Sequence, residues 1–234
     1  MVQRFAGVRT ADPYRDVDVV DARAPRFNQA AVALTTSLSL LTGQWWIAAL
    51  MGVQLAVGLV FGRRYCLPCV FYFEVVQPRV GEGPVEDARP PRFANVLGAG
   101  FLLAASAAHA AGLHAVGWML VAIVAALATL AVVTGFCMGC SMYRLMSRLR
   151  GIRPGHHDRV ETADFGISSD AVVQFTHPLC SDCAELSRTL ADAGANVVLV
   201  DVTRKPDLAR KYHVDVVPLA LRVSAGGRVL ERLA

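Results

Sequence analysis

All six cysteines of the 234-residue chain fall in three Cys-x-x-Cys pairs, Cys66/Cys69, Cys137/Cys140 and Cys180/Cys183. Pairs at this spacing support two chemistries. In thiol–disulfide exchange the first cysteine attacks a partner disulfide as a thiolate, and the second resolves the mixed disulfide that results. In metal binding, two converging pairs supply the four thiolates of a tetrahedral zinc or iron site. That no cysteine is left over favours redox work. Sulfur relay through persulfides on Cys137 or Cys180 draws on the same residues.

Two of the pairs close a repeat. Asp21-Ala22-Arg23-Ala24-Pro25-Arg26-Phe27 recurs as Asp87-Ala88-Arg89-Pro90-Pro91-Arg92-Phe93, and each copy is followed by an uncharged run, 36 residues over 27–62 and 51 over 93–143. The runs lead to Tyr65-Cys66-Leu67-Pro68-Cys69 and Phe136-Cys137-Met138-Gly139-Cys140. The duplication predicts that Cys66, Cys69, Cys137 and Cys140 meet at one four-thiol site. Pro68 inside the first pair suits a redox motif, whereas Met138 and Gly139 suit a metal knuckle.

Apolar residues make up 54% of the chain and charged residues only 18%, against about 25% charged in ordinary soluble domains. A membrane is the expected surrounding. A helix crosses the hydrocarbon layer with roughly 20 apolar residues, so each run is read as two spans, turning at 41–46 and at 110–117. A buried core hairpin is the alternative for the first run, but the rest of the chain is too small to cover it. Arginines set the orientation. Arg4, Arg9, Arg15, Arg23 and Arg26 precede the first span, Arg63, Arg64, Arg79, Arg89 and Arg92 lie between the second and third, and Arg144, Arg148, Arg150, Arg153 and Arg159 follow the fourth. The turns hold none. By the positive-inside rule both termini and the central loop are expected in the cytoplasm, in a bacterial inner membrane. The two modules are then parallel repeats about an axis along the membrane normal. The duplicated Arg-Phe segments are expected to lie amphipathically on the headgroups. Residues 1–26 carry four aspartates and five arginines, which argues against a signal peptide. His109 and His114 fall near the far side, as interfacial anchors or as part of a route for electrons.

The organisation read from this is a cytoplasmic segment over 1–28, a four-helix membrane domain over 29–149 (repeats 21–73 and 87–144), a polar linker over 150–169 and an α/β domain over 170–234. Residues 72–91 read as a connector, and His156 and His157 as solvated linker residues. In the last domain, 171–175 and 196–201 are strands, a helix runs from the Cys180/Cys183 motif to 193, a second helix spans 206–212, and 219–223 and 228–233 form a hairpin around Gly226 and Gly227. Its eight acidic and eight basic residues balance. The net charge of +4 therefore belongs to the membrane half, where it serves topology and anionic lipid; no nucleic-acid partner is expected.

A strand, a Cys-x-x-Cys at a helix N-terminus, a strand, a helix and Val217-Pro218 before a hairpin resemble the thioredoxin-like superfamily over 170–234. The resemblance implies that Cys180 is the nucleophile, Cys183 the resolving thiol and Pro218 a cis-proline facing them. Ser181-Asp182 replaces that family's usual Gly-Pro, no tryptophan precedes Cys180, and the family's first strand and helix and its last helix are missing or very short. Independently of the family, the helix N-terminus lowers the pKa of Cys180 while Asp182 opposes its ionisation, so a reductant, or a carrier near the cytoplasmic redox poise, is expected. A metal at Cys180/Cys183 lacks further ligands beyond His177. Residues 20–143 resemble a bacterial membrane family, domain of unknown function 4395, through the duplicated Arg-Phe entries and Phe136-Cys137-Met138-Gly139-Cys140; it brings no established activity. The expected fold is an α-helical membrane bundle of four transmembrane helices with a minimal α/β thioredoxin-like domain. The expected function is membrane-bound thiol–disulfide oxidoreduction, in which Cys180/Cys183 exchanges electrons with Cys66/Cys69 and Cys137/Cys140 and with a thiol or disulfide protein partner. Dithiol exchange requires no cofactor; zinc or iron belongs to the four-cysteine alternative, and a quinone enters if electrons cross the bilayer.

Overall fold

The computed structural model describes residues 11–151 and 158–234. Arg4, Arg9, Arg153, His156 and His157 lie outside the described residues. The chain is mostly helical with small sheet regions, and it divides into two compact units. Of the described residues, one comprises Asp12–Gly83 and Ala88–Tyr143; the other comprises Ala11, Pro84–Asp87, 144–151 and 158–234.

In the helical unit a short strand, β1 (Val19–Asp21), leads into α1 (Arg23–Thr42) and α2 (Trp45–Phe61). Gly43, at φ 67°, makes the turn between them, where only a residue without a Cβ turns left-handed at little cost. Two short helices follow, α3 (Leu67–Phe71) and α4 (Gln77–Val80), joined by a π-helical turn at Tyr72–Val76. The connector expected over 72–91 is therefore largely ordered. Pro68 and Pro78 each sit in the first turn of a helix, where the missing N–H would have had no helical partner.

After strand β2 (Val85–Asp87) come α5 (Arg89–Ala110) and α6 (His114–Thr134), which turn at 111–113. The duplicated motif opens α1 and α5 instead of lying as a separate surface segment. Its phenylalanines pack inward, Phe27 at 5.7 Å from Tyr72 and Phe93 at 5.5 Å from Tyr143 between ring centroids. These are matching pairs in the two repeats. Asp21 is buried and accepts from the Tyr72 hydroxyl at 3.0 Å, the Gly83 N–H at 3.0 Å and the Arg23 N–H at 2.9 Å. Arg63 fastens the preceding strand by donating to the carbonyls of Pro13, Val17 and Val19.

Small residues let the long helices approach. A Cβ on Gly52 would lie 2.9 Å from that of Leu102, the close contact by which apolar helices associate where water supplies no driving force. Val32, Met51, Leu55, Leu102 and Val121 fill the centre of the bundle. Large apolar side chains also point outward: Leu41 is 86% exposed and Val133 77%. The helices α5 and α6 are long and apolar enough to cross a membrane, and only 22% and 33% of their apolar windows are buried. A core helix of a soluble protein shows the opposite balance. The apolar helix α2 is shorter, at 17 residues, so two of the four expected spans meet the length and composition that crossing demands.

The helix α7 (Met138–Arg150) carries the chain from the first unit into the second. There α8 (Thr162–Phe165) precedes β3 (Ala171–Thr176), α9 (Ser181–Asp192), β4 (Val197–Asp201), α10 (Pro206–Lys211), β5 (Leu219–Val223) and β6 (Val229–Arg232). The sheet runs β4-β3-β5-β6, with β3 and β4 parallel and the other pairs antiparallel. Every residue of β3 is buried, as befits a strand flanked on both edges and packed on both faces. Val173 lies opposite Val198 on one side and Leu221 on the other. The core also takes in Val160 and Phe165, and the Tyr212 hydroxyl donates to Asp164 at 2.6 Å. The segment expected to be linker as far as 169 is thus built into this unit from Asp158 onward, because its apolar residues complete the core.

Candidate functional site

Each Cys-x-x-Cys is built the same way. Its first cysteine stands just before a helix, and its carbonyl accepts the first backbone hydrogen bond: Val70 N–H to Cys66 at 2.9 Å, Ser141 N–H to Cys137 at 2.9 Å and Ala184 N–H to Cys180 at 3.2 Å. The helix then places the second cysteine one turn on, with its sulfur beside the first. Cys66 and Cys69 are joined by a disulfide, as are Cys180 and Cys183. Cys137 and Cys140 are not.

The Cys137 sulfur accepts the Cys140 N–H at 3.3 Å. Hydrogen bonding from the Cys140 side chain, above all, and from the backbone and Gln29 pulls its pKa from 9.0 to about 6, against the opposing effect of burial. A thiol so placed is largely thiolate at neutral pH, the form that attacks disulfides.

The four thiols of the helical unit do not converge. Cys66 and Cys69 border a cavity of about 280 Å³ and Cys137 one of about 310 Å³. Asn28, Leu55 and Asn95 line both cavities, and the Asn28 amide donates to Asn95 Oδ1 at 3.0 Å. The repeat thus builds two neighbouring sites that share a wall, where a single four-thiol site was expected. Among the described residues no group of three or more His, Cys, Asp or Glu could hold a metal ion.

In the other unit Cys180 and Cys183 are 3% and 0% exposed. The Cys180 sulfur accepts the Cys183 N–H at 3.1 Å. Behind the pair, the buried Gln174 amide donates to the Cys183 carbonyl at 2.9 Å and its oxygen accepts from Ser187 at 3.0 Å. This fixes the first turn of α9 against β3. The Val217–Pro218 peptide bond is cis, and Val217 shares the hydrophobic core with both cysteines. His177 is buried and its Nδ1 accepts the Leu179 N–H at 3.2 Å, so that nitrogen shapes the approach to the motif.

Residues 84–87 fasten beside this disulfide. The Val85 N–H donates to Ser181 Oγ at 2.9 Å and the Val217 N–H to Asp87 Oδ2 at 3.3 Å. Cys180, the expected nucleophile, is therefore buried beside this segment. Asp87, Ser181, Asn28, Gln29 and Asn95 were not expected to shape the sites. The asparagines and Gln29 carried a signal, since polar side chains inside apolar helices mark functional positions.

His109 and His114 face one another, Nδ1 to Nδ1 at 3.2 Å, with the His109 ring 4.7 Å from that of Trp118 and stacked on Trp45 at 5.7 Å. They form an aromatic cluster at the turn between α5 and α6. The cysteine cavities include neither.

A family model described as Domain of unknown function (DUF4395) matches residues 20–148, more than half of the chain. No curated protein and no solved structure matches it.

Proposed function

The chain belongs to the DUF4395 family, and from that premise we propose that it is a membrane-bound thiol–disulfide oxidoreductase in which Cys180/Cys183 exchanges electrons with the cysteine pairs of the helical unit. The observation that carries this reading is one local architecture used three times in two oxidation states, two pairs closed as disulfides and one pair held as thiols around an acidified Cys137. Exchange needs such a difference. A pair whose thiolate is stabilised is favoured in its reduced form and accepts electrons readily. At Cys180/Cys183 the charge of Asp182 disfavours the thiolate, so electrons run from Cys180/Cys183 to Cys137/Cys140.

The sheet order β4-β3-β5-β6, a dithiol at the start of α9 and the proline after Val217 support assignment of the C-terminal unit to the thioredoxin-like superfamily. In that assignment Cys180 attacks, Cys183 resolves and the Pro218 loop aligns the partner. We assign α1, α2, α5 and α6 as the membrane spans, with the arginine-rich segments and the termini in the bacterial cytoplasm. Because both units lie on one chain, exchange between them proceeds at a high effective concentration.

The test is a trapped intermediate. With Cys183→Ser the resolving thiol is lost, and mild oxidation should leave Cys180 bonded to a cysteine of the helical unit, seen as a mobility shift on a non-reducing gel and located by peptide mass. No such adduct, with Cys180 still alkylatable, sinks the proposal.

A further inference from the structure

We propose that the cavity beside Cys137 binds a membrane-soluble quinone, which removes the electron pair from the Cys137/Cys140 dithiol. The proposal rests on the thiol–disulfide reading above, since a pair that receives electrons from Cys180/Cys183 must be reoxidised before it can receive more.

Three observations point to this ligand. At about 310 Å³ the cavity is at the lower end of the range for small-molecule pockets, enough for a ring but not for a long tail. Its walls come from α1, α2, α5, α6 and the start of α7, and of its lining residues Phe101, Ile123 and Leu127, on α5 and α6, are partly exposed. On helices apolar enough to cross a membrane, such a rim opens to the acyl chains, so that an apolar ligand enters from the side and leaves its tail in lipid. Inside, the polar groups are few. Gln29 lines the cavity together with Cys137, and Asn28, only 4% exposed, has a side-chain oxygen without a hydrogen-bond partner among the described residues while its amide N–H is held by Asn95. A buried acceptor of this kind calls for a donor. A quinol hydroxyl is such a donor on an otherwise apolar molecule. Acyl chains alone bring none, and an anionic ligand meets no Lys, Arg or His among the lining residues.

The chemistry balances within the pair. The Cys137 thiolate adds to a ring carbon, forming a carbon–sulfur bond. Cys140 then attacks the Cys137 sulfur; the Cys137–Cys140 disulfide forms as the carbon–sulfur bond breaks, and its electron pair stays on the ring. The Cys140 proton ends on one quinone oxygen, and a proton from water, replacing the one Cys137 gave up on ionising, ends on the other. One dithiol is oxidised and one quinone reduced to quinol, with Asn28 accepting from a hydroxyl of the product.

The experiment uses the full chain with Cys66, Cys69, Cys180 and Cys183 changed to Ser, reduced, freed of reductant and mixed anaerobically with a decyl-tailed benzoquinone. The expected result is about one quinol per chain, matched by loss of the Cys137 and Cys140 thiols. Leu127→Trp, which narrows the cavity, and Asn28→Leu, which removes the acceptor, should each slow quinol formation at low quinone by about tenfold or more, the effect of losing one buried hydrogen bond or equivalent contact. Absence of quinol in the four-serine chain overturns the proposal, as do rates unaffected by both cavity changes. The Cys183→Ser trap is read separately on the chain with its other cysteines. An adduct without quinone reduction removes the quinone site and leaves exchange standing; quinone reduction without an adduct does the reverse.

Discussion

Asp87 accepts the backbone N–H of Val217, the residue directly before Pro218, at 3.3 Å. With the Val85 N–H on Ser181, this pins residues 84–87 beside the Cys180–Cys183 disulfide. Asp87→Ala removes a hydrogen bond to a charged group, worth about 1.5–3 kcal/mol. Reduction of this disulfide by dithiothreitol should accelerate about tenfold or more, followed by mass-tagging of Cys180 in a chain lacking the other four cysteines. An unchanged rate means the segment does not shield the pair.

Cys137 should titrate far below an ordinary thiol. Its alkylation by iodoacetamide is expected to reach half its maximal rate near pH 6, and Cys140→Ala should move that midpoint back toward 9, because the Cys140 side chain is the largest cause of the shift. The sign for stability follows. A folded-state pKa below the unfolded one favours the folded thiolate, so this contribution is full above about pH 9 and fades as pH falls through about 6. A midpoint that stays put in Cys140→Ala contradicts the arrangement.

Gly139 sits where α7 meets α5. A Cβ there would lie 2.8 Å from the Cβ of Ala94 and 2.9 Å from its Cα. Gly139→Ala is expected to cost about 1–3 kcal/mol through overpacking, read as a lower thermal midpoint, and to change Cys137 alkylation as the cysteine turn shifts. Ala94→Gly in the same chain should restore part of the loss, since it removes one of the two clashing atoms. Additive effects of the two changes would show that they do not meet.

In the C-terminal unit, Asp164 accepts from Lys211 at 2.7 Å and Tyr212 at 2.6 Å. The Lys211 hydrogen bond, and then that of Tyr212, hold its carboxyl below the usual range. The stability it contributes is present above the ordinary carboxylate pKa and is lost as pH falls through the lowered value. Asp164→Asn should therefore flatten the acid side of a denaturation-versus-pH curve and leave the reactivity of the Cys180–Cys183 disulfide toward dithiothreitol unchanged. An equally steep acid limb in the variant rules the interaction out as its source.

Much of the element order could be read from the chain, because its signals are local. The turns at Gly43 and Gly112 and the strands flanking the Cys180 motif follow from charge gaps, glycine placement and short β-branched runs. The features that local sequence does not reveal depend on tertiary packing. Val160 and Phe165 look like isolated apolar residues in a polar stretch, and only the sheet they cover makes them core. Two Cys-x-x-Cys motifs on a repeat suggest convergence, yet the Asn28–Asn95 hydrogen bond stands between their cavities. The position of Asp87 was beyond reach for the same reason, since its partner lies 130 residues further along the chain.

Residues 84–87 group with the C-terminal unit although they are flanked on both sides by the helical one. That unit is consequently no cassette. The 84–87 piece leaves the ribosome before α5 and α6, and must wait through their synthesis for the sheet it joins. A fragment starting at residue 144 would carry the Cys180–Cys183 pair without Ser181's partner or Val217's acceptor. Nature cannot shuffle, and a protease cannot release, this dithiol domain whole with one cut.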